Sequence, residues 1–439
     1  MTFGRNVVQY RVKERGIAME KRIEDLMKDL DRSKTAYHAV ACAAEKLEEK
    51  GFVRLEESLA WQLSPGGRYY VIRDGSALIA FCLGRQMGGV RMVASHVDSP
   101  CLKVKGNAVT HAGGCAKLNV EKYGGGLLYS WLDIPLCLAG RAVSYDAQSG
   151  RLSSHLITDE HTVIIPSLAI HFNREANKSL ALNPQTDMQP LVSLDPDFAL
   201  YSEADGVVER DLFLVNAAKP YLAGFDRELL VSPRIDNLTS AFASVEALSA
   251  IPEEGCTLAY LADHEEVGSQ TKQGAGSDFL RAVISRMADA MGEPLEQVLA
   301  QSFMVSCDNA HAIHPNHAEK SDPTNPVTLG GGVVIKHHAN QNYTSDAFSS
   351  AVFKVILKKA NVPYQDFYMR ADMPCGGTLG AISSSQVSVR SVDIGLPQLA
   401  MHAATETMCA ADYGRLVEAL QAFFATPIRN LSYCETDLV

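Results

Sequence analysis

VRMVASHVDSP, residues 90–100, passes from an apolar run into polar residues. Val90 to Ala94 reads as a buried strand ending at Ser95-His96, and a polar loop leaving a strand's C-terminal end is where an open α/β sheet places its site. Upstream, Tyr69 to Ile72, the turn Asp74-Gly75 and Ala77 to Leu83 predict a hairpin. Earlier still, Ile23, Leu26, Met27 and Leu30 fall at helical spacing from Met19. A second helix through Leu47 has Ser33 or Thr35 as its cap and closes at Gly51.

Beyond Pro100 the texture changes. Gly113-Gly114, Gly124-Gly125-Gly126 and short β-rich runs such as Arg141 to Tyr145 and Thr162 to Ile165 replace helical periods as far as Gly224. After Val231 the α/β texture returns. It predicts a helix from about Asn237 to Ala250, a strand Thr257 to Ala262, a helix within Asp278 to Ala290 and a strand Met304 to Ser306. A strand Gly332 to Lys336, a helix Asp346 to Lys359, a strand Val387 to Asp393 and a final helix from Asp412 to about Phe424 follow. The simplest account is one α/β domain, residues 1–100 and 229–439, interrupted by an inserted β-rich domain, residues 101–228.

The chain has 439 residues, enough for two or three domains, and its 46% hydrophobic and 21% charged content excludes disordered and fibrous classes. With 40 Lys plus Arg against 51 Asp plus Glu, the net charge of −11 repels a phosphate backbone, so nucleic acid is not an expected partner. The ten cysteines are scattered and form no C-x-x-C pair. That reads as reduced thiols in a cytoplasmic chain, not a disulfide framework or a zinc knuckle. Charges break every apolar run of the first 26 residues, which offer neither a signal-peptide core nor a membrane span. Met19 opens a second start, and residues 1–18 read as an extension that contributes little to the fold.

The chemistry gathers near predicted strand ends. Read singly, His96 and Asp98 are ordinary loop residues, Asp236 in SPRIDNL is an N-cap carboxylate, and His402 is equally a ligand or a core or capping histidine. LADHEEVGSQ, residues 261–270, differs: Asp263, Glu265 and Glu266 follow an apolar strand, and adjacent carboxylates are costly to bury unless cations hold them. In VSCDNAHAIHPNHAEK, residues 305–320, Asp308 ends another strand. His311, His314 and His317 recur at three-residue steps, but Pro315 makes that run a loop, so Asp308 is the better ligand candidate. Collected, His96, Asp236, Glu265, Glu266, Asp308 and His402 suit a pair of divalent metals, with one carboxylate bridging and one Glu free to act as base. Imidazole mixed with carboxylate points to zinc first, with manganese or cobalt as substitutes. No G-x-S-x-G elbow is present, and Gly330-Gly331-Gly332 lacks the Lys-Ser ending of a phosphate loop.

From Met19 to the C-terminus the sequence resembles the aspartyl aminopeptidase family of co-catalytic zinc metallopeptidases. The resemblance rests on ASHVDSPCLKVK, YGGGLL, IPSLAIHFNR, NPQ, SPRIDNL, DHEEVGS, SCDNAHAIHPN, IKHHANQNY, GGTLG and VDIGLPQLAMH, in that order. It implies a mixed-sheet catalytic domain with helices on both faces, interrupted by a β-rich dimerisation and lid domain. It implies two Zn2+ per subunit: one held by His96, Asp236 and Asp308, the other by Asp236, Glu266 and His402, with Asp236 bridging. Glu265 is then the general base acting on a metal-bridging water, and Asp98 orients the imidazole of His96. His311, Lys336 and Tyr343 contact the peptide substrate, and His171 reaches the active site of a neighbouring subunit. The family assembles as a dodecamer built from dimers. One departure is Ser33-Lys34-Thr35, where relatives have a Ser-Pro pair at the helix start.

Lys336 facing a substrate carboxylate favours N-terminal Asp or Glu, although relatives that prefer neutral residues such as Leu use the same chemistry. A lone lysine is more commonly a surface residue. A scaffold or cargo protein of the same fold calls for a lost ligand or base, and neither is lost. A deacetylase or carboxypeptidase on a related scaffold differs in tolerating a blocked N-terminus.

Overall fold

The computed structural model describes residues 19–200, 206–248 and 255–438. The reading of residues 1–18 as an extension, and the last residues of the helix predicted to Ala250, lie outside these.

Helix α1 spans residues 19–32 and α2 spans Ala36–Glu49. Thr35 occupies the N-cap of α2, but its hydroxyl bonds the His38 ring at 2.9 Å instead of a backbone amide. Gly51, at φ +80°, ends the helix as expected, and the Phe52 amide donates back to Leu47 O. Four strands follow: β1 Val53–Leu55, β2 Arg68–Arg73, β3 Ala77–Cys82 and β4 Val90–His96. β2 and β3 form the predicted hairpin.

The next six strands are β5 Cys101–Ala112, β6 Cys115–Tyr123, β7 Leu136–Asp146, β8 Arg151–Thr158, β9 Leu191–Ser193 and β10 Val207–Asn216. Together they make a separate antiparallel sheet in the order β8-β7-β10-β5-β6-β9, with a short α-helix, α3 Pro184–Asp187, beside it. Leu102, Leu118, Val120, Leu138, Leu212 and Leu214 form its own apolar core.

The chain then runs through β11 Tyr221–Ala223, β12 Leu229–Ser232, α4 Ile235–Ala247, β13 Cys256–Ala262, α5 Phe279–Met291, α6 Leu295–Gln301 and β14 Phe303–Cys307. It continues with β15 Ala310–His311, β16 Val333–His337, α7 Ala347–Lys359, β17 Tyr364–Tyr368, α8 Leu379–Val387 and β18 Arg390–Gly395. β19 Pro397–Leu399, β20 Glu406–Cys409, α9 Ala410–Ala425 and the ribbon β21 Ile428–Ser432 with β22 Glu435–Leu438 complete it.

Nine strands from both sides of the insertion form one mixed sheet, β1-β2-β3-β13-β4-β14-β18-β16-β17. Side chains alternate across it with period two. Leu78, Ala80, Val93, Ala259 and Leu261 face a core completed by α1, α2, α4, α7 and α9, while Ile79, Phe81, Met92, Leu258 and Tyr260 face α5, α6 and α8. The fold is therefore mixed α/β, with helices on both faces of the large sheet and a β-rich insertion. A small sheet, β11-β12-β20-β19-β15, lies at its end.

One local reading is corrected. The strand predicted from Val387 begins only at Arg390: α8 runs through Val387, and Ser388 in the left-handed region ends it. Val387 and Val389 are both buried in the same apolar core, which is why the pair reads as strand. The glycine run 330–332 wraps a carboxylate, since Asp412 accepts the amides of Gly330 at 2.8 Å and Gly332 at 3.1 Å.

Candidate metal centre

β13, β4 and β14 are adjacent and parallel, with Ala262 opposite His96 and Ser306 opposite Ala94. The residues leaving their C-terminal ends therefore converge: Glu265 and Glu266 after β13, His96 and Asp98 at β4, Asp308 after β14. Asp236 arrives from the start of α4, just after β12, and His402 from the turn joining β19 to β20. Asp236 is no cap. Arg234 holds the N-cap position in the left-handed conformation and makes no capping bond, and the first-turn amide of Asp236 donates instead to the Glu406 carboxylate at 2.8 Å.

His96 Nε2 lies 3.7 Å from Asp236 Oδ1 and 3.6 Å from Asp308 Oδ1. His402 Nε2 lies 3.4 Å from Asp236 Oδ2 and 3.3 Å from Glu266 Oε1. Four donors at about 2.0–2.2 Å from a tetrahedral zinc are separated from one another by about 3.3–3.6 Å, so both sets have the spacing of ligands around an ion. The two oxygens of Asp236 face the two sets separately. A third grouping, His96 with Glu265 and Glu266, also lies within 4.8 Å. Asp236 Oδ1 and Glu266 Oε1 are buried without a hydrogen-bond donor, the condition of a carboxylate oxygen whose partner is a cation. The residues fit a divalent metal pair.

The electrostatics agree. Burial, then the carboxylates of Asp308, Asp98 and Asp236, push Glu265 up to about 7 against the opposing pull of His96. Burial, then Asp236, raises Glu266 further. Burial opposes charging of His96 and His402, yet their carboxylate neighbours raise both. So many buried acids cannot all ionise without positive charge among them.

Asp98 stands behind this group. His96 Nδ1 donates to the Asp98 carbonyl oxygen at 3.0 Å, with Asp98 Oδ1 at 3.4 Å. The Asp98 carboxylate accepts the amides of Glu265 and Glu266, each at 3.1 Å, and the hydroxyl of Tyr123 at 2.7 Å. Glu406 is a residue the sequence did not point to. Fully buried on β20, it accepts the Asp236 amide at 2.8 Å through Oε2 and the His402 amide at 2.8 Å through Oε1. Its only signal is one acid within the short strand Glu-Thr-Met-Cys.

A cleft of about 270 Å³ opens over the group and is lined by Glu265, His311, Lys336 and Tyr343 among others. Lys336 is 2% exposed, not a surface lysine. Its ammonium donates to Asn309 O at 3.2 Å, lies 3.7 Å from Asp308 Oδ2 and stands 5.0 Å above the Tyr343 ring. His311 is exposed to the cleft at the end of β15. His314 and His317 are exposed and pack their rings together outside the cleft lining. His171 is also exposed and does not line the cleft of its own chain.

Residues 30–205 and 198–424 match the family profile "Aminopeptidase I zinc metalloprotease (M18)". The chain is 40% identical over 428 residues to the "Probable M18 family aminopeptidase 2" of Ectopseudomonas mendocina (strain ymp), covering 93% of this chain and 99% of that one. Its fold is similar to that in "Cryo-EM structure of the Ape4 and Nbr1 complex", with a TM-score of 0.89 at 32% identity over 93% of this chain and 86% of the other. It is also similar to the S. cerevisiae mApe1 dodecamer, with a TM-score of 0.81 at 26% identity, covering 92% and 96% of the two chains.

Proposed function

This chain belongs to the M18 family of zinc metalloproteases, and from that premise we propose that it is an aminopeptidase releasing acidic residues, Asp or Glu, from peptide N-termini at a centre of two zinc ions. The observation that carries the reading is Asp236, whose two oxygens each face a different imidazole-containing donor set. His96, Asp236 and Asp308 hold one ion, and Asp236, Glu266 and His402 the other. Three protein donors per ion leave a position for an exogenous ligand. Manganese or cobalt suits the same donors.

Ions held by these residues would supply Lewis acidity, making a water more acidic and a scissile carbonyl more electrophilic. Glu265 lines the cleft beside the donor sets, within reach of a reacting water, in the position of a general base. It takes the proton of the attacking water and delivers it to the leaving amine. Asp98 orients His96 and fixes the backbone of both glutamates. A position left open on one ion would suit a free α-amine, which a blocked peptide lacks. Lys336, a buried ammonium lining the cleft, supports the acidic preference, with His311 and Tyr343 as further substrate contacts.

We assign residues 101–228 to an inserted dimerisation and lid domain, and the chain to a dodecamer built from dimers. The dodecameric mApe1 relative supports this, as does the exposed apolar run Leu168, Ile170 and Phe172 around His171, which we assign to a neighbouring subunit's cleft. A cytoplasmic location is supported by free thiols at all ten cysteines. Among the described residues no helix is long and apolar enough to cross a membrane.

The test is amino-acid release from matched peptides beginning with Asp, Glu or Leu, with and without a chelator. Chelator-sensitive release of Asp or Glu is expected. Release favouring Leu discards the acidic preference, and no release from any peptide with zinc restored leaves the scaffold reading in its place.

A further inference from the structure

The inserted sheet touches the candidate metal centre through Tyr123 to Leu127, the segment that closes β6 and follows it. The Tyr123 hydroxyl donates to Asp98 Oδ2 at 2.7 Å, and that carboxylate also holds the amides of Glu265 and Glu266. Its ring is seated edge-on against Phe213 of β10, with centroids 5.8 Å apart. Gly124, at φ +72°, lies so close to Glu266 that a Cβ there would stand 3.1 Å from the Glu266 Cβ and 3.5 Å from its Oε2. A Cβ on Gly125 would lie 3.5 Å from His402 Nδ1. The Leu127 amide then donates to His402 O at 2.9 Å.

One short segment thus reaches the support of His96 at one end and two ligands of the other ion at its far end. Resting on the two-zinc reading above, we propose that Tyr123–Leu127 is a strap that positions the ligands of both ions, so that the inserted sheet is a working part of the metal centre. Tyr123 is its positioning residue on the His96 side. Its hydroxyl fills a lone pair of a buried carboxylate and links that carboxylate to the insertion core. On the other side, Gly124 lets the backbone approach where a Cβ would press Glu266 by a few tenths of an ångström, and the Leu127 amide fixes the main chain of His402. Partners of this outer kind typically change metal affinity or activity by about 10- to 100-fold.

The test is zinc titration of the full chain against a chromogenic chelator. Tyr123→Phe keeps the ring and removes only the hydroxyl. Leu127→Pro removes the amide donor at a residue whose φ of −77° already suits proline. Each is expected to weaken at least one of the two ions by about tenfold or more, lower kcat at limiting zinc with KM little changed, and recover rate as free zinc is raised. A role in packing alone predicts wild-type zinc affinity for Tyr123→Phe, and that result in both variants overturns the proposal. Hydrogen exchange on the wild-type chain repeats the test without a substitution: zinc slows exchange across residues 123–127 if strap and centre form one unit. Unchanged exchange in a zinc-loaded protein overturns the strap. A wild-type chain that binds no zinc overturns the two-zinc reading instead.

Discussion

Glu265 and Glu266 are neighbours in sequence yet face different tasks. Glu266 Oε1 stands 3.3 Å from His402 Nε2 inside a donor set, while Glu265 lines the open cleft. Glu265→Gln is therefore expected to retain both zinc ions and lose about 10²- to 10⁴-fold in kcat, whereas Asp236→Ala loses zinc as well as rate. Metal analysis of the two purified variants separates them; a fully loaded Asp236→Ala rejects the bridging role. Glu406 makes a different case. Its two oxygens accept main-chain amides from Asp236 and His402, so an amide nitrogen in place of either oxygen sets donor against donor. Glu406→Gln is expected to cost about 1–3 kcal/mol of stability in the metal-free protein, read by urea denaturation, and to weaken zinc binding. The donors at strand ends are legible in sequence because acids crowded after apolar runs are costly. A single acid such as Glu406 gives no such signal, since its worth lies in two amides remote along the chain.

At the level of elements, helix α2 meets the inserted sheet through His38, whose ring nitrogens bond Thr35 at 2.9 Å and Thr158 of β8 at 3.0 Å. Burial, then the charges of Arg234 and Lys34, lowers His38 to about 4. The sign follows: below the unfolded value near 6.5 the unfolded chain takes a proton that the folded chain refuses. This contact therefore loses stability as pH falls from about 6.5 to about 4, by about 3 kcal/mol in all, and adds no pH dependence above that range. Unfolding free energies of wild type and His38→Gln across pH 4–7 check it; identical slopes reject the assignment. Gly395 shows how tightly β18 sits against the centre. A Cβ there would fall 2.0 Å from the Asp308 carbonyl oxygen, so Gly395→Ala must move the backbone of a proposed ligand. Reduced zinc content together with a lower unfolding midpoint is the expected result, while wild-type zinc content counts against a rigid ligand position. The element types themselves were mostly legible, because β3, β4 and β13 are short apolar runs and α5 and α7 are amphipathic over several turns. Helices α6 and α8 were not: α6 has seven residues, and the Ser-rich α8 runs out into Val387-Ser388-Val389, which locally favours strand.

Across the whole molecule the centre is where the large sheet, the small sheet and the strap from the insertion meet. Ions bound there stabilise the folded chain alone, by about 2.7 kcal/mol per site at a free concentration a hundred times the dissociation constant. Chelation is expected to lower the thermal midpoint, and the midpoint should climb again with added zinc; a midpoint indifferent to zinc rejects binding at a folded centre. Composition, hydrophobic period and the polar residues at strand ends are local properties, so the α/β character, the β-rich interruption and the crowding of acids after apolar runs were all present in the sequence. The order β13-β4-β14 was not, because it joins strands from both sides of the insertion through crossovers no local propensity encodes. That order brings His96 within 4 Å of Asp308, and the small sheet adds Asp236 and His402 to them. The hydroxyl of Tyr123, the amides held by Glu406 and the burial of Lys336 likewise belong to the tertiary structure, since each depends on the packing of segments remote along the chain.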